Sequence, residues 1–151
     1  MNSDQPRELL RAALEDLAQA RTYLDYSARQ VADLPDNLEG VTAAQLESVE
    51  AFCSRFSRTV DLLVNKVLRC LDRAVILSHG TLIDVVNRAE KRGFVSQADF
   101  LREMNDVRNI ISHDYAGARM PQVFAWCRQQ KPVLDTICER TVAYSQNVLQ
   151  P

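Results

Sequence analysis

Arg108, Asn109, His113 and Tyr115 fall within the stretch DVRNIISHDY, the densest concentration of reactive side-chain types in the sequence. The chain has only 2 histidines, and one of them stands here. Histidine titrates near neutrality and is suited to moving a proton. The planar fork of arginine matches a phosphate and stabilises negative charge that builds up during phosphoryl transfer. Asn109 is placed to orient the imidazole or a substrate oxygen, and Tyr115 to stack on a base or donate a hydrogen bond. With no acidic cluster to hold a metal, the set points to metal-independent chemistry on a phosphodiester, and neither metal nor cofactor is expected. On RNA, such chemistry uses the substrate's own 2′-hydroxyl as nucleophile, with a base and an acid to move the protons. One histidine per motif is sparse for both roles. Two copies facing each other across a two-fold axis would supply both.

Spacing constrains how these groups meet. On a helix Asn109 and His113, four apart, lie one above the other on one face. Arg108 and Tyr115 also nearly align. Arg108 and His113 are five apart, about 140° around the axis at 3.6 residues per turn. They converge on one small ligand only if the helix loosens at its end, or if the partners come from different chains. Ile110 and Ile111 stand between the polar residues and anchor the segment to a core. A histidine near a helix C-terminus also serves plainly as an end cap or dipole partner, and the motif must be weighed against that structural role.

The elements that position the motif are helical throughout. A first apolar stripe, Leu10, Leu14, Leu17 and Leu24, predicts a helix over about 7–34, with Asp4 as cap and Pro6 in the first turn. Pro35, Asp36, Asn37 and Gly40 break it. The clearest segment follows, over about 42–77. Leu46, Val49, Cys53, Phe56, Val60, Leu63, Val67 and Cys70 alternate steps of three and four, a heptad seam that could also serve a coiled-coil adaptor. Phe52, Val64, Leu68, Leu71 and Val75 widen that surface, which predicts a bundle spine with neighbours on two sides. Thr81 caps a short third helix ending at Lys91-Arg92-Gly93, and Ser96, with Asp99 three residues on, caps a fourth that ends near His113. A last helix runs over about 121–149, and Pro132 is expected to kink or split it. No segment alternates with the two-residue period of a strand. The expected fold is all-α, an antiparallel bundle of about five helices in a single domain over 1–151.

The totals agree. The 151 residues are 46% hydrophobic and 25% charged, with 4 glycines and a formal charge of -2, which excludes a generally basic nucleic-acid coat and leaves room for a local basic site. The opening MNSDQPRELL lacks the basic start and apolar run of a signal peptide, and no apolar run is long enough to span a membrane, so a cytoplasmic protein is expected. Cys53, Cys70, Cys127 and Cys138 are widely spaced at or beside apolar helix positions and are expected as unpaired, buried thiols. His79 reads as a turn residue. Arg88, Lys91 and Arg92 suit a helix C-terminus. Arg102 and Arg119 flank the motif and are the better candidates for RNA-backbone contacts, while Trp126 is expected in core or dimer packing.

The residues from Arg108 to Tyr115, RNIISHDY, match the Arg-x4-His-x-Tyr signature of the HEPN superfamily and resemble its HepT-like toxins in particular. The polar Asn directly after the Arg is typical of that family. FLREMNDVRN is similar to the helix leading into its Arg-Asn, and FCSRFSRTVDLLVNKVLRCLD to its long second helix, so the resemblance spans roughly residues 45–120. It implies a helical bundle that homodimerises, with two signatures meeting in a cleft to form a metal-independent endoribonuclease site. Arg108 would then stabilise the scissile phosphate, His113 would serve in general acid–base catalysis, and Asn109 would support them. The partner implied is a minimal nucleotidyltransferase acting as antitoxin, with Tyr115 as candidate site of nucleotidylation (AMPylation). The same residues are equally similar to a branch described as non-catalytic, nucleotide- or RNA-binding subunits of such nucleotidyltransferases.

Overall fold

The computed structural model of the protein describes residues 4–75, 80–113 and 119–151, the side chain of Ser112 excepted. Two positions singled out above, His79 and Tyr115, lie outside the described residues. In chain order the helices are α1 (Gln5–Gln30), α2 (Ala43–Asp61), α3 (Leu68–Ala74), α4 (Leu82–Lys91), α5 (Ala98–His113) and α6 (Met120–Leu149). A π-helical stretch, Leu62–Val67, joins α2 to α3 as one continuous rod, so the described chain forms five rods and no strands.

The heptad seam becomes the centre of the core. Val49, Cys53, Phe56, Val60, Leu63 and Val67 are each 0% exposed. The flanking Phe52, Val64, Leu68 and Leu71 are buried as well, so the rod does face two neighbours. α1 lies along α2 and α3, whereas α5 and α6 pack on α2. Phe52 meets Phe124 of α6 edge to face at 6.0 Å, and Phe56 meets Trp126 in the same way at 5.8 Å. Trp126 is thus a packing residue, half-buried against the spine.

Local sequence sets several helix ends. Thr42 and Gln45 form a capping box at the head of α2, and Thr81 with Asp84 does the same for α4. Gly93, at φ 80°, closes α4. Its N–H donates to Glu90 and that of Phe94 to Ala89, the Schellman pattern that needs a residue with left-handed backbone at this point. Four expectations change. α1 stops at Gln30 rather than near Leu34, and both Nη atoms of Arg128 donate to the Leu34 carbonyl at 2.8 and 2.7 Å, tying the turn to α6. Asp4 has helical φ and ψ (−84°, −17°) instead of the extended conformation of a capping residue, and its side chain makes no cap hydrogen bond. α5 begins at Ala98, so Ser96 is not its cap; the Glu90 carboxylate of α4 accepts from the Ala98 N–H at 2.8 Å. Pro132 does not split α6. It lies on the exposed side, where water can satisfy the carbonyl it leaves without a donor, while Leu134 and Cys127 hold the helix from the buried side.

α3 and α4 are locked by charge. Asp72 of α3, only 4% exposed, accepts from Arg88 at 3.0 Å and from Arg92 at 2.7 Å. All four cysteines are free: Cys53, Cys127 and Cys138 are buried and Cys70 is half-buried. No helix among the described residues is long and apolar enough to cross a membrane.

Candidate active site

α5 carries Arg108, Asn109 and His113 of the signature on a helix that runs through His113. Its buried stripe is Ala98, Leu101, Met104 and Asn105, and Val107, Ile110 and Ile111 are half-buried against the core. Arg108 continues the inward-facing side. Its Nη1 donates to Oδ1 of Asp61, the last residue of α2, and the same oxygen accepts from Nδ2 of Asn65 at 2.8 Å. The Arg108 and Asp61 side chains keep 31% and 46% of their surface exposed. An ion pair so open to water contributes about 1 kcal/mol or less to stability, so this contact is not what holds α5 to α2. The apolar stripe does that.

Asn109 and His113 turn the other way, both exposed. Together with Ile110 and Arg119 they line a cleft of about 420 Å³. Arg119 is the residue immediately before α6, so the end of α5 and the start of α6 form two sides of this cleft. A second, more apolar depression of about 360 Å³ shares Ile110 and Arg119 with it and is otherwise lined by Val107, Gln122, Val123 and Trp126. The two therefore adjoin. Among the described residues no three of His, Cys, Asp and Glu cluster closely enough to hold a metal ion.

The residues singled out by sequence are brought together only in part. Asn109 and His113, four apart, share one cleft as their spacing requires. Arg119 joins them. Arg108 stands about 140° away around α5 and is not among the described residues lining that cleft. Arg102 lies exposed nearly two turns before Arg108 and faces Asp99 at 3.7 Å. Asp61 and Asn65 were not anticipated. The only signal they offered was a polar pair four apart inside the most apolar stretch of the chain.

A family model described as Ribonuclease HepT-like matches residues 14–141. The chain belongs to this family. The match takes in α2 through α5 entire and most of α1 and α6, which is wider than the roughly 45–120 segment that carries the resemblance. No curated protein and no solved structure matches the chain. Membership of the HepT-like family places the chain among ribonucleases at family level, and the bundle and the signature at the end of α5 agree with that placement.

Proposed function

We propose that this HepT-like protein is a metal-independent endoribonuclease and the toxin of a toxin–antitoxin pair, with a cleavage site completed by a second copy of the chain. The observation that carries the reading is the cleft formed by Asn109, His113 and Arg119 on a signature helix that the family model covers. In the proposed step the 2′-oxygen of RNA attacks the adjacent phosphorus and the bond from phosphorus to the 5′-oxygen breaks. One imidazole takes the 2′-hydroxyl proton and a second gives a proton to the leaving 5′-oxygen, leaving a 2′,3′-cyclic phosphate and a 5′-hydroxyl. Arg108 stabilises the charge that gathers on the phosphoryl oxygens. Asn109 orients the histidine or the substrate, and Arg119 holds the backbone at the cleft mouth.

A single chain offers one His113, and its Arg108 turns toward Asp61 on another flank of α5. That divergence on an unbroken helix supports a site shared between two chains, each giving what the other lacks. The apolar depression beside the cleft, with Trp126 and Val123, supports a contact surface next to it. In the same reading the antitoxin is a minimal nucleotidyltransferase, which would silence the site by nucleotidylating Tyr115. The test is to incubate purified protein with RNA in a chelator beside His113→Ala and Arg108→Ala. Cleavage by the wild type and loss in both variants is expected. Cleavage that survives either substitution contradicts the site, and binding of a minimal nucleotidyltransferase without any cleavage would favour a non-catalytic subunit instead.

A further inference from the structure

We infer that Asp61 is a positioning residue for Arg108, and that the π-helical turn beginning at Leu62 holds it in place. The chemical role rests on the ribonuclease proposal above; the contact does not. Asp61 lies 47 residues before Arg108 in the chain and meets it across the junction of α2 and α5. A guanidinium that serves a phosphate must present its N–H fork in a set plane, because these hydrogen bonds are directional. The helix fixes only the base of the long arginine side chain. A carboxylate gripping Nη1 fixes the far end.

The carboxylate is itself oriented. Asn65 donates to the same Oδ1 at 2.8 Å, so the order runs from Asn65 through Asp61 to Arg108. This relay sits where the helix changes register. The Leu68 N–H reaches the Leu63 carbonyl five residues back, closing the wide turn that separates α2 from α3. Such turns inside long helices are frequent at functional sites, where the added residue re-aims neighbouring side chains. Here the turn begins immediately after Asp61 and contains Asn65. The carboxylate also balances the arginine charge in the absence of substrate. Both side chains stay open to water, so an anionic phosphate can approach the pair.

The test uses the full-length protein with Asp61→Ala, Asp61→Asn and Asn65→Ala, each also combined with Arg108→Ala. The readouts are cleavage of a single-stranded RNA oligonucleotide in chelator and nitrogen-15 relaxation of the Arg108 Nε–H group. Asp61→Ala should lower kcat about tenfold or more, because the reacting geometry loosens, while KM stays within about threefold. It should increase Arg108 side-chain motion and have no further effect once Arg108 is alanine. Asp61→Asn, which keeps an oxygen acceptor, should lose less. Wild-type kcat in Asp61→Ala, or an Arg108 as ordered in Asp61→Ala as in wild type, would overturn the inference. Should Asp61→Ala fail to fold, Asn65→Ala takes its place, with a smaller loss of kcat and of Arg108 order expected and no change in either contradicting the relay. If the wild type cleaves no RNA, the ribonuclease proposal fails by itself. Asp61 is then judged on relaxation alone, and an Arg108 as ordered in Asp61→Ala as in wild type overturns its role.

Discussion

Arg108 and His113 share one helix but not one site within the chain: Arg108 turns inward to Asp61, and His113 lines an open cleft with Asn109 and Arg119. α5 is helical through His113, so the five-residue spacing is kept at its full angular cost. This divergence is the observation behind the proposal of a site assembled from two chains.

Arg119 is the cation that stands beside His113 in the cleft, whereas Arg102 faces Asp99 well back along α5. Arg119→Ala should therefore weaken binding of a non-cleavable RNA and lower the slope of log affinity against log salt by about 0.7, one phosphate contact on a single strand. Arg102→Ala should change that slope much less. Equal effects of the two substitutions, measured by fluorescence anisotropy across a salt series, would contradict the placement of Arg119.

Asp72 is the buried half of a three-residue charge cluster with Arg88 and Arg92. Removing the carboxylate leaves two arginines facing each other in a site that is mostly closed to water. Asp72→Ala should cost about 3 kcal/mol or more in urea unfolding. By contrast, Asp61→Ala should cost about 1 kcal/mol or less, since its ion pair is half open to solvent. Similar losses in the two would mean that exposure is not what separates them.

The cysteines should differ in reactivity by burial. Burial pushes the Cys138 thiol up to about 12. A hydrogen bond with Cys53, together with burial, raises that of Cys127. Cys70 is also raised by burial, but Arg73 and Lys66 oppose the shift and it is the least enclosed of the four. One thiol, Cys70, should react with iodoacetamide in the native protein near neutral pH, with the others modified only on unfolding. Peptide mapping that finds Cys138 or Cys127 labelled first would contradict this order.

Lys131 of α6 joins Asp25 of α1 at 2.6 Å and Asp135 at 2.8 Å. Burial lowers its affinity for a proton, but the hydrogen bonds to Asp135 and Asp25 prevail and the pKa is raised. A lysine raised on folding adds stability that is complete below its unfolded value and is lost as pH rises through the folded one. The melting-temperature advantage of wild type over Lys131→Met should hold near neutrality and shrink above about pH 10.4, the ordinary lysine value. An advantage that grows with alkaline pH would reverse the sign and refute the assignment.

Much of the fold was legible because its cause is local or periodic. The seam from Val49 to Val67 is buried at every step, and Thr81 caps where a threonine before an apolar run should. The π-helical turn was not legible. Its residues are apolar on nearly every side, so an added residue leaves no break in the pattern of Leu62, Leu63, Val64 and Val67. Long-range contacts were hidden for a different reason. Glu90 replaces Ser96 at the head of α5 from another helix, and Asp61 reaches Arg108 across 47 residues. Of the candidate site, the i, i+4 pair Asn109 and His113 could be placed together from spacing alone, whereas Arg119 was visible only as a flanking basic residue.

The shared site is tested most directly by denaturing wild type and His113→Ala and refolding them together in equal amounts. If cleavage needs a His113 from each chain, half of randomly paired dimers are mixed and inactive, and only the quarter that pairs two wild-type chains cleaves. RNA cleavage should then fall to about a quarter of that given by the same total amount of refolded wild type, while His113→Ala alone stays inactive. A mixture that keeps half of that activity would contradict a site built from both chains.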